Sequence, residues 1–185
     1  MITYKEITGW MTSDSETFFN MMVDRLFSLN NPHIVEIGCF MGQSTCYISQ
    51  KIKQKNINVR YDVIDHFLGS IEHQKTLEKR DLYKIFINNM IEADVMDTIR
   101  VFSVDSNRAS LLYDNESLDF IFIDADHSYD AVKNDINVWF PKVKKGGILS
   151  GDDYLKCHPG VIKAVNEAFG NKTKFVKRNW YIEKL

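Results

Sequence analysis

Leu118-Asp119-Phe120-Ile121-Phe122-Ile123 runs directly into Asp124-Ala125-Asp126-His127-Ser128-Tyr129. The first half is apolar, aromatic and β-branched apart from one acid, which is the composition of a strand buried on both faces. The second half turns polar at once, as a strand does when it leaves a sheet. The same alternation extends in both directions. Upstream, His33–Ile37 is a short apolar run that ends at Gly38, and Gly42 to about Lys53 reads as a helix. Val59–Asp65 is a second strand ending in an acid. From about Glu72 to Ala93, the spacing of Leu77, Leu82, Ile85, Phe86, Met90 and Ile91 predicts helix, broken at most once. Ile99–Ser103 is a third strand. Downstream, Tyr129–Phe140 is helical, with Val132, Ile136 and Trp139 on one face and Pro141 as its stop. Gly147–Ser150 is a fifth strand, Val161–Phe169 is a helix stopped by Gly170, and Lys172–Leu185 closes with two short strands.

Strands alternating with helices imply an α/β fold, a parallel sheet covered on both faces. In such sheets ligands bind beyond the carboxyl ends of the strands, where strand order reverses. The polar clusters of this chain all follow strands. The two short segments around Phe175 and Tyr181 are too close for a helical crossover, so they are expected to form a hairpin. The N-terminal stretch with Phe18, Phe19, Met22, Leu26 and Phe27 predicts an extra amphipathic helix. It is read as packing on the sheet, with the roles of lid or of dimer surface in a homo-oligomer left open.

The 185 residues suit one domain over 1–185, with 1–30 as an N-terminal helical extension. At 44% hydrophobic and 26% charged residues the chain can bury a core without staples. A net charge of −2 with scattered lysines gives no footprint for nucleic acid or an anionic membrane. Three cysteines, Cys39, Cys46 and Cys157, have no metal-like spacing and suggest reduced thiols. With no signal-like start and no membrane-length apolar run, the expected location is the cytoplasm.

The first strand enters Glu36-Ile37-Gly38-Cys39-Phe40-Met41-Gly42-Gln43-Ser44-Thr45. Glycine after a strand permits a tight turn and close approach of a ligand to the backbone. The spacing is not GxGxxG, which disfavours a pyrophosphate-binding dinucleotide loop and with it a nicotinamide-dependent oxidoreductase. Asp65, ending the second strand, has the acceptor capacity for two hydrogen bonds from a diol, or else is a cap or surface acid. Asp105 and Ser106 follow the third strand, where Asp105 could equally cap the next helix. Asp124, Asp152 and Asp153 follow what should be two neighbouring parallel strands, roughly 4.8 Å apart. Unpaired acids so placed repel one another, and hard oxygen ligands suit magnesium or calcium. Asp152 and Asp153 can share an ion only if the chain turns there, and Gly151 is the expected enabler. His127 lies three residues beyond Asp124 with an intrinsic pKa near neutrality; alone, it would read as a surface histidine beside a helix start.

Together these segments resemble class I S-adenosylmethionine (SAM)-dependent methyltransferases. The glycine loop is similar to their motif I in its catechol O-methyltransferase-like form, with aromatic Phe40 in place of the commoner glycine. The IDxxHxY segment at 123–129 and GGxxxxxDY at 146–154 resemble a bacterial family of small sugar and antibiotic-tailoring enzymes, and the likeness covers roughly residues 33–182. The resemblance implies a Rossmann-like three-layer α/β/α sandwich with a seven-stranded, mostly parallel sheet and an antiparallel last strand. It implies SAM on Glu36, Gly38, Phe40, Gly42, Asp65, Asp105, Ser106 and Asp124, with His66 and Phe67 flanking the adenosine. It further implies Mg²⁺ on Asp124, Asp152 and Asp153, and His127 as general base with Asp124 in the catalytic set. Many relatives carry histidine where this chain has Asp152. The expected reaction is methyl transfer to a hydroxyl of a small molecule (sugar, polyol or catechol-like). A metal-free methyltransferase and a non-catalytic SAM- or partner-binding domain are the alternatives. Tyr129 and Tyr154 are candidates for the acceptor pocket or for packing, and His158 stands close enough to the acids to touch substrate.

Overall fold

The computed structural model describes residues 1–69 and 81–185. Its sheet has seven strands in the order β3-β2-β1-β4-β5-β7-β6. They are β1 (His33–Ile37), β2 (Arg60–Asp65), β3 (Ile99–Ser103), β4 (Leu118–Ile123), β5 (Val143–Gly151), β6 (Lys174–Val176) and β7 (Asn179–Glu183). Strands β1 to β5 pair in parallel, while β7 runs antiparallel to both β5 and β6. The expected terminal hairpin is present, closed by the two residues Lys177 and Arg178.

Alternating side chains send each strand into two cores. Ile34, Val63, Phe120, Phe122 and Ile148 meet α1 (Ser13–Phe27), α2 (Gln43–Lys55) and α3 (Leu82–Glu92) on one face. Val35, Ile37, Ile121, Ile123 and Leu149 meet α4 (Ser106–Ser110), α5 (Tyr129–Trp139) and α6 (Pro159–Phe169) on the other. Helix α1 packs on the sheet as expected, burying Phe18, Phe19, Met22 and Leu26, whereas Phe27 is exposed. The helix expected over Glu72–Ala93 is present as α3. Its proposed earlier part, with Leu77, lies outside the described residues. Strand β5 begins at Val143, earlier than Gly147, because Glu116 and Ser117 donate backbone hydrogen bonds to Pro141 and Lys142 and lead β4 in beside it. No helix among the described residues is long and apolar enough to cross a membrane.

The register aligns the carboxyl ends that matter. Ile37 pairs with both Ile64 and Ile123, and Ile123 pairs with Gly151. Gly38, Asp65, Asp124 and Asp152 therefore leave the sheet at nearly one level, around the β1/β4 junction where strand order reverses.

Candidate active site

A cavity of about 640 Å³ opens at that junction, within the roughly 300–1,000 Å³ usual for small-molecule sites. Gly38 forms its floor with φ +82°, and a Cβ there would stand 2.1 Å from the carbonyl oxygen of Asp124. The turn thus needs glycine twice over, for its backbone angle and for its contact with β4. Phe40 also has positive φ, at 48°, and its ring lies 4.9 Å from that of Trp10. Gly42 serves differently from the expectation. Its φ of +91° starts α2, but an added Cβ would strike Met90 and Phe86, so it packs against α3 and is not part of the cavity wall.

Glu36 is also behind the wall. It is buried and accepts hydrogen bonds from Ser44, from Thr45 Oγ1 at 2.7 Å and from Tyr61 Oη at 2.5 Å. Burial raises its pKa, and these three bonds only partly oppose the shift. It fixes the loop by holding the first turn of α2. Asp65 reaches the cavity and grips the loop as well. Its Oδ2 accepts from the backbone of Cys39 at 3.0 Å and Phe40 at 2.9 Å, and its Oδ1 from Phe67 at 2.7 Å. Lone-pair capacity for a diol is left chiefly on Oδ1. His66 lines the cavity, whereas Phe67 turns into the core against Phe86, 5.3 Å between ring centroids.

At the next strand end Asp105 has two placements at once. It lines the cavity and also caps α4, accepting from Asn107 N at 2.9 Å. Ser106 donates to Asp135 Oδ1 at 2.6 Å and accepts from the Trp139 indole at 2.8 Å. Asp135 was not anticipated. It is buried on α5 and lines the cavity, and desolvation raises its pKa to about 6. A signal did exist: with Val132, Ile136 and Trp139 it occupies one helical stripe, so it is an acid at a core position.

The opposite wall holds Asp124, Asp152, Asp153, His127, His158 and Arg178. Asp124, the first residue beyond β4, has a strongly raised pKa, from burial first and then from repulsion by Asp152 and Asp153. The turn that brings Asp152 and Asp153 together is at Asp153 itself, φ 58°, a conformation aspartate tolerates better than most residues. Gly151 stays in the strand, where an added Cβ would lie 2.7 Å from Ile123 O and from the Trp180 ring. It provides room for packing rather than the expected turn. Asp153 Oδ2 lies 2.9 Å from His127 Nε2. Arg178 Nε donates to Asp152 Oδ1 at 2.6 Å, and its Nη2 donates to Asp153 Oδ1. Burial alone would raise the Asp153 pKa, but His127 and Arg178 bring it below the usual carboxylate value. At Asp152 burial outweighs the arginine and the pKa is raised. The His158 ring lies 4.3 Å from that of His127, because Gly160 lets α6 abut the backbone at His127 and Tyr129. Asp126 accepts from Ser128 N at 2.6 Å and shapes the turn into α5. Tyr129 and Tyr154 bond Glu167 and Asn166 and do not line the cavity. Arg178 was the second residue missed, since an arginine in a hairpin turn carries no local signal of the partner it will meet.

A glycine loop, an acid-tipped second strand and a polar wall at the switch point of a 3-2-1-4-5-7-6 sheet are the layout of the class I SAM-dependent methyltransferase fold. The chain belongs to the methyltransferase-domain family, which matches residues 35–154. An uncharacterised protein of Acanthamoeba polyphaga mimivirus is 31% identical over 136 residues, 72% of this chain. This chain spans 57% of that relative's length. The fold is similar to that of the O-methyltransferase NovP, with a TM-score of 0.75 at 20% identity over 92% of this chain and 79% of the other. It is also similar to a TDP-rhamnose 3'-O-methyltransferase of calicheamicin biosynthesis, with a TM-score of 0.65 at 13% identity over 92% and 78%.

Proposed function

We propose that this chain transfers the methyl group of SAM to a hydroxyl oxygen of a small molecule of the sugar, polyol or catechol type. The observation that carries the reading is the His127–Asp153 pair, 2.9 Å apart, lining the same cavity as the glycine loop. SAM, when bound, supplies a methyl group already activated on a sulfonium. Gly38, Phe40 and Asp65 would hold it on one side, with Asp105, Ser106 and Asp135 toward the adenosine end. Asp153 Oδ2, 2.9 Å from His127 Nε2, orients the ring and would stabilise the imidazolium formed when His127 takes the hydroxyl proton. With SAM held there, the deprotonated acceptor oxygen would take the methyl group as the carbon–sulfur bond gives its electron pair to sulfur, with S-adenosylhomocysteine as the leaving group. Positioning of the acceptor in line supplies the rest of the acceleration. That both structural relatives are described as O-methyltransferases supports oxygen as the acceptor atom.

Magnesium on Asp124, Asp152 and Asp153 is the remaining expectation. As arranged, these residues do not fit an all-carboxylate magnesium site, because a guanidinium is hydrogen-bonded to two of the three. Among the described residues, the set whose ligand atoms lie within 4.8 Å of one another is His127, Asp153 and His158, without Asp124 or Asp152.

The test is transfer from radiolabelled SAM to a panel of sugars, polyols and catechols. His127→Ala should keep SAM affinity and lose about 10²–10⁴-fold in rate on any competent acceptor. Near-normal turnover in that variant would remove His127 as the base. Tight SAM binding with no transfer to any member of the panel would favour a binding module.

A further inference from the structure

We infer that Arg178 is the resident cation of the acceptor site, standing where a divalent ion would otherwise neutralise Asp152 and Asp153, so that the Asp124, Asp152 and Asp153 set works without metal. The inference rests on reading the acid wall as the acceptor end of the cavity.

The placement is built into the sheet. Gly151 of β5 pairs with Trp180 of antiparallel β7. Continuing that register by two residues sets Asp153 opposite Arg178, in the turn between β6 and β7. The turn is fixed there, because the Arg178 carbonyl accepts from Tyr154 N at 3.1 Å. The side chain is only 19% exposed and lies along the cavity wall. Its planar fork spans two carboxylates, Asp152 through Nε at 2.6 Å and Asp153 through Nη2, a bridge that a compact ammonium group would not make in the same way.

This arrangement occupies the oxygens that a metal shared by Asp152 and Asp153 would need. Asp153 has one oxygen on Arg178 and the other on His127. Asp152 Oδ1 accepts from Arg178 and also from Asp153 N at 2.7 Å. A divalent ion entering between these carboxylates would meet a fixed positive charge at contact distance and would have to displace it. The guanidinium is always protonated, so its charge persists at any working pH. Arg178 also holds Asp153 in position for His127, which makes it a positioning residue for the proposed base.

The test reads metal binding and is independent of turnover, so it can fail without touching the methyl-transfer reading, and the reverse. Mn²⁺ is titrated into the full chain saturated with S-adenosylhomocysteine, and free Mn²⁺ is followed by electron paramagnetic resonance. The expected result is Mn²⁺ binding at least tenfold tighter in Arg178→Ala than in the wild type, with the gain lost in Arg178→Ala/Asp153→Asn. Wild-type binding as tight as, or tighter than, that of Arg178→Ala would overturn the inference. If Arg178→Ala does not fold, the wild type and Asp152→Asn decide. A one-to-one Mn²⁺ site in the wild type that Asp152→Asn removes would overturn it, and the absence of such a site would support it.

Discussion

Asp62 in the middle of β2 and Asp124 just past the end of β4 are two acids enclosed in the same sheet protein, with opposite surroundings. Asp62 is fully buried, yet His33 Nε2 lies 2.8 Å away, Arg100 binds through two nitrogens at 2.6 Å each, and Tyr113 donates at 2.9 Å. Burial alone would raise its pKa, but these bonds prevail and hold it below the usual carboxylate value. Asp124 faces Asp152 and Asp153, and its pKa is pushed strongly up. Asp62 has its partners within the chain and works as a structural rivet. Asp124 is kept in a costly state at the edge of a cavity, as expected of a group arranged for a ligand. A buried charge is therefore informative only together with the number of partners the chain gives it.

The sharpest way to break this contrast is to neutralise each acid in turn. Asp62→Asn should cost about 3 kcal/mol of stability, because Arg100, His33 and Tyr113 lose a charged partner. It should leave SAM affinity unchanged. Asp124→Asn should leave stability unchanged or raise it by up to ~1 kcal/mol through relief of repulsion, and should abolish turnover. Urea denaturation and SAM titration of both variants check this; a stable Asp62→Asn or a strongly destabilised Asp124→Asn would erase the distinction.

The pH dependence sharpens it further. Asp62, with its lowered pKa, contributes stability that is complete above about pH 4 and is lost as pH falls through its folded value. Asp135, raised to about 6, acts in the opposite sense. Its neutral form suits the buried site, so stability falls as pH rises from about 4 through 6, by about 2 kcal/mol. Melting temperature against pH for the wild type and Asp135→Asn should diverge over that window, and parallel curves would show that Asp135 is ordinary. A smaller effect is expected at Asp65, which grips the loop and faces the cavity. Asp65→Ala should weaken SAM by about tenfold or more, through the loss of charged-acceptor hydrogen bonds. Unchanged affinity would move the ribose elsewhere. The smallest effect belongs to an exposed pair: Lys133→Ala, losing Glu167 Oε1 at 2.7 Å, should alter neither melting temperature nor SAM affinity.

The fold was legible because its signals are local. Phe120 to Ile123 alternate between two cores within one run, and the closeness of Phe175 to Tyr181 forbids a crossover. The strand ends were legible for the same reason, since Gly38, Asp65, Asp105 and Asp124 each follow an apolar run. What the sequence left hidden depends on tertiary register. Arg178 meets Asp153 only because β7 is antiparallel to β5, and no spacing encodes a pair 25 residues apart. The turn at Asp153 was assigned to its neighbour, because Gly151 has the permissive backbone but is held flat by the space Trp180 needs. Glu36 holds the loop from behind, as its motif implies, whereas Gly42 was placed near the ligand by that motif and instead packs on Met90 and Phe86.

The central claim is that the cavity at the β1/β4 junction is a SAM site whose loop cannot hold a dinucleotide pyrophosphate. Calorimetric titration of the protein with SAM, and in parallel with NAD, tests it most directly. One-to-one SAM binding that Asp65→Ala weakens, with no heat from NAD, is the predicted result. Saturable NAD binding with no SAM binding would contradict the account.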